Sequence, residues 1–304
     1  MTKKINRKVS YKNMKKLGLM CAAILSLVSC STTKPSTSAL TPSNSSSSSS
    51  ETVSSSSENK SYFSVDIPTI AHRGYHTTEI ENTEGAFLAA AQRNFVGIET
   101  DIYWTKDGYI ICNHDTAVNY YGKLTPIKDL TYQEIMDGVN LSGDEANPVR
   151  VTTFNRFLEI CRDYNKIPVI EFKITPSKNN CEFLIYMIQT IYGYDEAIND
   201  VYFISFGQSI LSTMMDIAKE NAYSYKCYLL TQSDKSVEEG IALGLHISHQ
   251  YDLITQELAD KVHDANLELA AWTCNYESKI AKLKEFGCVT VTTDVLECDP
   301  KYCK

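Results

Sequence analysis

The sequence predicts one (β/α)8 barrel, an α/β TIM barrel in a single domain, preceded by a signal peptide and a disordered Ser-rich linker. Three observations carry that expectation. From Thr69 onward, eight short apolar runs alternate with helix-length amphipathic segments, the order that gives a parallel sheet. Residues 69–304 hold the pattern, near the ~250 residues of a closed barrel. Acids, histidines and bases gather at the carboxyl ends of the first three runs, where barrel enzymes place their chemistry. An open doubly wound sheet is the alternative. No GxGxxG follows the first run, so its dinucleotide-binding version lacks a signature.

The chain divides into three parts. Residues 1–29 read as a lipoprotein signal peptide, 30–64 as a Ser/Thr-rich tether and 65–304 as the barrel. The start is basic, with Lys3, Lys4, Arg7, Lys8, Lys12, Lys15 and Lys16 and no acid among them. The apolar stretch Leu17 to Val28 falls short of the ~20 residues a permanent span needs. It ends LVSC, which resembles a bacterial lipobox and makes Cys30 the expected lipidation site. The alternative is an ordinary signal peptide with an incidental cysteine. The tether is nearly all Ser, Thr and Pro, too polar to bury a core, and would reach roughly 30 Å. The expected location is therefore the outer face of a bacterial cell membrane, held there by a lipid anchor.

The formal net charge is −8. Losing the seven basic signal residues would take it to −15. So acidic a body excludes general nucleic-acid binding, which needs basic surface. An anionic substrate would need locally concentrated positive charge. Of ten cysteines, Cys21 and Cys30 belong to the signal and lipid site. Cys112, Cys227, Cys274 and Cys288 lie in or beside apolar runs and read as small buried hydrophobes. No CxxC pair suggests zinc. Mostly free thiols are expected, with Cys298 and Cys303 the favoured pair.

The eight strand candidates, in order, are TIAH, GIETDIY, PVIEFKI, VYFIS, YKCYLL, LHIS, LELAAWT and VTVTT. Helical segments lie between most of them: TEGAFLAAAQRN, TFNRFLEICRDYN, CEFLIYMIQTIY, QSILSTMMDIAKEN, SVEEGIALG, TQELADKVHDAN and YESKIAKLKEF. Apolar spacings of three and four in these segments fit a buried helical stripe.

The first strand ends IAHRGYH, placing His72 and Arg73 at the mouth with Gly74 permitting a turn. In the second, Glu99 and Asp101 are two apart and so share a face. Two buried carboxylates repel unless a cation joins them, and Ca²⁺ or Mg²⁺ takes such oxygens. The third strand repeats the device: in IEFK, Glu171 closes the acid set and Lys173 adds a cation. Lys106-Asp107-Gly108 reads as a hairpin turn that folds YIICNHD back and brings His114 to the same end. Two histidines could then accept and donate protons across a phosphate held by Arg73, Lys173 and a metal. The pattern points to a metal-dependent phosphodiesterase. His76, His246, His249 and His263 carry no such pattern and read as surface or loop histidines.

These residues resemble the glycerophosphodiester phosphodiesterase family, through AHRG, ENTEGAFLAAAQ, GIETDIYWTKDGYIICNHD, IPVIEFK, SFGQSILSTM, AAWTCN and FGCVTVTTD. The resemblance spans nearly all of residues 68–300. It implies a barrel hydrolase that releases sn-glycerol 3-phosphate and an alcohol using one divalent cation, Ca²⁺ or Mg²⁺. Carried over, His72 and His114 are the acid/base pair, and Glu99, Asp101 and Glu171 the metal ligands. Arg73 and Lys173 contact phosphate, Glu81 is a further site carboxylate, and Trp272 lines the glycerol pocket. The chain departs at Ile80, at Asn94-Phe95 and at Arg156. Residues 116–149 match weakly and are expected to cover the mouth. Two other readings stay open: a phospholipase D-like lyase forming a cyclic phosphate, and a lipid-anchored protein that binds glycerophosphodiesters without cutting them.

Overall fold

The computed structural model describes residues 64–303. The signal peptide, Cys30 and the tether as far as residue 63 lie outside the described residues. Eight parallel strands close on themselves: β1 (Thr69–Ala71), β2 (Gly97–Trp104), β7 (Ile167–Phe172), β8 (Tyr202–Ser205), β9 (Lys226–Thr231), β10 (His246–Gln250), β11 (Leu269–Trp272) and β12 (Val291–Thr293). β1 pairs with both β2 and β12, so the sheet has no free edge in this ring. All eight strands coincide with the apolar runs read from the sequence.

Helices cover the outside: α1 (Glu84–Ala91), α3 (Phe154–Asp163), α4 (Lys178–Tyr192), α5 (Gln208–Asn221), α6 (Asp234–Ala242), α7 (Gln256–Asp264) and α8 (Glu277–Glu285). Side-chain oxygens of Thr83, Thr153, Ser177, Ser233 and Thr255 cap five of their amino ends, supplying acceptors that the first turn lacks. Strand residues alternate between two cores. Ile98, Ile102, Ile170, Phe172, Phe203, Leu229, Ile247 and Ala271 face the helices. Ile70, Val169, Ile204, Tyr228, Leu230 and Ala270 fill the barrel. Burying each large aliphatic or aromatic side chain contributes about 1.5–3 kcal/mol. The floor of the barrel is polar: Lys226 Nζ lies 2.6 and 2.9 Å from the Glu268 oxygens, and the Tyr228 hydroxyl donates to the same carboxylate.

The Lys106–Gly108 turn forms a hairpin as expected. β3 (Ile110–Cys112) runs antiparallel to β2, with Ile102 opposite Cys112, and β6 (Thr152–Thr153) extends that edge. Between them, β4 (Ala117–Tyr120) and β5 (Lys123–Pro126) form a second hairpin, followed by α2 (Tyr132–Gly138). This insert packs its own small core of Ile111, Val118, Ile127, Leu130, Ile135 and Val139. No residue of 116–149 lines the cavity at the mouth; the insert's apolar residues pack into that separate core.

The cysteines follow the burial expectation. Cys112, Cys227, Cys274 and Cys288 are buried, and the eight barrel cysteines are free, so the favoured pair Cys298 and Cys303 is not bonded. Two histidine expectations are corrected. His246 and His249 stand on β10, and His249 is wholly buried, with its Nδ1 2.7 Å from the Thr231 hydroxyl. A parallel barrel strand is covered on both faces, so a polar residue in the middle of β10 is buried, while His246 at its end is half-buried. His263 is exposed on α7.

Candidate active site

Strand β1 ends in a sharp bend. Arg73 (φ 54°) and Gly74 (φ 78°) both take left-handed backbone. A Cβ at Gly74 would sit 2.6 Å from the Ala86 carbonyl carbon, so only glycine fits. For Arg73 the conformation costs on the order of 1–2 kcal/mol. It is held by its own backbone N–H, which donates to Glu99 Oε2 at 2.8 Å. Strain retained at such a place needs surrounding bonds to fix it. The Arg73 side chain turns back, its Nη1 donating to Glu81 Oε1 and Oε2 at 3.0 and 2.9 Å.

The acids meet as the spacing implied. Asp101 on β2 stands in register with Glu171 on β7, and Glu99 lies two residues below Asp101. One oxygen from each of the three lies within 4.8 Å of the others, and all three residues are buried. Glu99 Oε1 and Asp101 Oδ1 accept no hydrogen bond from the described residues. Burial, followed by repulsion from Asp101 and Glu171, holds the Glu99 carboxyl well above the usual range. Burial and the Asp101 charge push Glu171 up to about 7. Buried, mutually repelling carboxylate oxygens, with Glu99 Oε1 accepting no hydrogen bond among the described residues, fit a hard divalent cation. Glu99, Asp101 and Glu171 are the residues that would hold it.

Two bases share these acids. Lys173 Nζ lies 3.0 Å from Glu171 Oε1 and 3.4 Å from Asp101 Oδ1. Burial opposes its charge, and Glu171 and Asp101 outweigh burial, so its pKa ends raised. Arg73 Nε lies 3.4 Å from Asp101 Oδ2. Each base could turn toward an incoming phosphate while staying beside an acid.

The two histidines arrive from different elements. His72 Nδ1 lies 2.8 Å from Asp294 Oδ1, and Asn275 Nδ2 donates to Asp294 Oδ2 at 2.6 Å. A carboxylate only accepts, so the proton sits on Nδ1 and Nε2 is left for chemistry. His114 follows β3, with its Nδ1 3.0 Å from Asp115 Oδ1. His76, expected as a loop histidine, is in that loop but is not idle: its Nδ1 lies 2.9 Å from the His72 carbonyl and its Nε2 3.6 Å from Asp294 Oδ1.

A cavity of about 250 Å³ joins these parts. His72, Arg73, Glu99, His114, Glu171 and Lys173 form its polar wall, and Ile204, Phe206, Leu230 and Trp272 an apolar one. Trp272 is fixed by its Nε1, which donates to the Ser248 carbonyl at 3.0 Å, and meets Phe206 edge-on at 5.4 Å. The structure brings together His72, His114, Arg73, Lys173, Glu99, Asp101, Glu171 and Trp272, with Glu81 attached through Arg73.

Four residues at the site escape the sequence reading. Asp294 stands one residue beyond β12 and holds His72, and Asn275 braces Asp294. Phe206 forms half of the aromatic wall. Asn82 is buried at φ 57°. Its Nδ2 donates to Asp101 Oδ2 at 2.8 Å, and its Oδ1 accepts from the Thr100 hydroxyl at 2.8 Å and the Asp101 N–H at 3.2 Å. The rule that chemistry sits at strand ends, applied to the last strand as to the first three, would have found Asp294.

A closed barrel with two histidines, three clustered acids and two bases at its carboxyl end defines the class: a TIM-barrel hydrolase. The model of the Glycerophosphoryl diester phosphodiesterase family matches residues 72–297. The chain belongs to that family and is a phosphoric diester hydrolase. A glycerophosphodiester phosphodiesterase of Caldanaerobacter subterraneus subsp. tengcongensis is 28% identical over 232 residues, covering 74% of this chain and 93% of that protein. Among solved structures, a glycerophosphodiester phosphodiesterase from Parabacteroides distasonis shares the fold with a TM-score of 0.62 at 21% identity, covering 77% of this chain and 95% of its own. An Oleispira antarctica phosphodiesterase, solved with the product sn-glycerol-3-phosphate, has a TM-score of 0.62 at 20% identity, covering 76% and 94%.

Proposed function

We propose that the chain hydrolyses glycerophosphodiesters to sn-glycerol 3-phosphate and an alcohol, with a divalent cation, Ca²⁺ or Mg²⁺, on Glu99, Asp101 and Glu171. One observation carries the reading: His72 and His114 line the same cavity as Glu99 and Glu171. A bound cation would neutralise phosphate charge and polarise its oxygens. The chain's own residues do the rest. Arg73 and Lys173 take non-bridging phosphate oxygens. One imidazole accepts the proton of the attacking oxygen, and the other donates a proton to the leaving alcohol. Asp294 keeps His72 Nε2 available for either task. The apolar wall of Trp272 and Phe206 receives the carbon backbone of the glycerol, and the alcohol departs toward solvent.

The test is a panel of glycerophosphodiesters with and without chelator, scored by glycerol 3-phosphate released and by phosphorus NMR. Chelator-sensitive release of the monoester supports the reading. A cyclic phosphate product, or binding without turnover, overturns it. We also propose that the protein is exported and lipid-anchored through Cys30, on the strength of the basic start, the apolar run and LVSC. Cys30→Ser should then release the protein from membranes into the medium.

A further inference from the structure

Residues 298–303, the last described ones, lie on the floor of the barrel, opposite the mouth. A second cavity of about 380 Å³ opens there, with Lys166, Tyr302 and Cys303 in its wall. Cys298 is wholly buried and pinned: its N–H donates to the Asn94 carbonyl at 2.8 Å, and Asp299 N–H donates to Val65 at 2.9 Å. A single turn, Pro300–Tyr302, capped by Asp299, then brings Cys303 back, half-exposed. The sulfurs of Cys298 and Cys303 are 3.7 Å apart, in contact but unbonded. Apart from this contact, the last turn is held to the barrel mainly by Asp66, whose carboxylate takes Lys301 and the Tyr302 hydroxyl. Such exposed ion pairs hold little.

We propose that Cys298 and Cys303 form a modification site: an intramolecular disulfide made by exchange with a small-molecule or protein disulfide, which clasps the turn Pro300–Tyr302 to the barrel floor. The two sulfurs need to close from contact to a bond of about 2.0 Å, and the Cys298 thiol gives up its 3.0 Å contact with the Asn94 carbonyl as they do. The order of steps follows from exposure. The Cys303 thiolate attacks the incoming disulfide, forming a mixed disulfide and releasing one thiol. The Cys298 thiolate then attacks the Cys303 sulfur and releases the second thiol. Two protein thiols and one disulfide become one protein disulfide and two thiols, so protons and electrons balance. Burial and the neighbouring Cys298 hold Cys303 up to about 11. Little thiolate is therefore present at neutral pH and the first step is slow. The reduced form also gains nothing from a stabilised thiolate, so the bond, once made, is not easily lost.

The experiment uses the reduced full chain, incubated with oxidised glutathione at pH 8.5, then alkylated, digested and weighed. The expected product is the peptide material holding both cysteines, lighter by two hydrogens and carrying no alkyl group on Cys298 or Cys303. Cys298→Ser should instead leave a lasting glutathione adduct on Cys303, and Cys303→Ser should leave Cys298 unmodified. Recovery of both cysteines alkylated, or a lasting Cys303 adduct in the unmutated chain, would overturn the proposal. Amide hydrogen exchange across Lys301–Cys303 should slow at least tenfold in the oxidised protein; an equal rate in both forms would refute the clasp. Turnover of diesters should be the same in both forms, so the outcome is independent of the catalytic reading.

Discussion

His72 and Asp294 lie 222 residues apart in the chain, and their side chains meet at 2.8 Å. β1 and β12 make this possible: they are hydrogen-bonded neighbours that close the barrel, with Ala71 opposite Thr293. Closure of the sheet is thus also what orients an imidazole at the mouth.

Asp294→Asn tests that relationship. Its amide can donate to Nδ1, which would place the imidazole proton on Nε2 and spoil the nitrogen needed for chemistry. A loss in kcat of about 10²–10⁴-fold is expected, the range for a general acid or base, with KM little changed. Asn275→Ala should lose less, because Asp294 keeps its bond to His72. Steady-state kinetics on one diester decides both. A rise in KM without a fall in kcat would mean that Asp294 serves binding instead.

His114→Ala should abolish turnover and leave cation binding intact, since His114 is not among the clustered acids. Titration of the variant with Ca²⁺ or Mg²⁺ by calorimetry, beside an activity assay, separates the two effects. Normal turnover would remove the two-histidine mechanism.

The acid cluster sets a pH dependence. Glu171, raised to about 7, and Glu99, held well above the usual carboxyl range by burial and its acidic neighbours, must lose protons before a cation can bind. Cation affinity should therefore weaken as pH falls below about 7. Without the cation the sign for stability is the opposite of the common carboxylate case. The folded state holds protons that the unfolded state has released, so stability declines as pH rises from about 4.5 to 7. Thermal melts in chelator across that window should show a falling Tm, and added cation should reverse the fall near neutral pH.

Asn82 offers a structural test. Asn82→Gly keeps the left-handed backbone and removes three hydrogen bonds around Asp101. Asn82→Ala removes the same bonds and adds about 1–2 kcal/mol of backbone strain. Both variants should bind cation more weakly, and the alanine variant should also unfold at lower denaturant. Equal stabilities would show that the backbone there relaxes freely.

The barrel was legible in the chain because its signals are local. Each strand is an apolar run, each helix has its own stripe, and the acids at 99, 101 and 171 follow strand periodicity. The hairpin through Gly108 was equally local, and it carried His114 to the right place. The insert at 116–149 was less legible, because a short segment with its own small core leaves no pattern that tells which surface it joins.

The sequence alone determined the strand order, the face of each strand that bears an acid, and the histidine and base types at the strand ends. Tertiary structure alone decided which distant groups touch: Asp294 on His72, Asn82 on Asp101 and Phe206 on Trp272. The physical reason is range. Periodicity and turn chemistry act over a few residues, whereas side-chain contacts across a closed barrel depend on how its first and last strands come together.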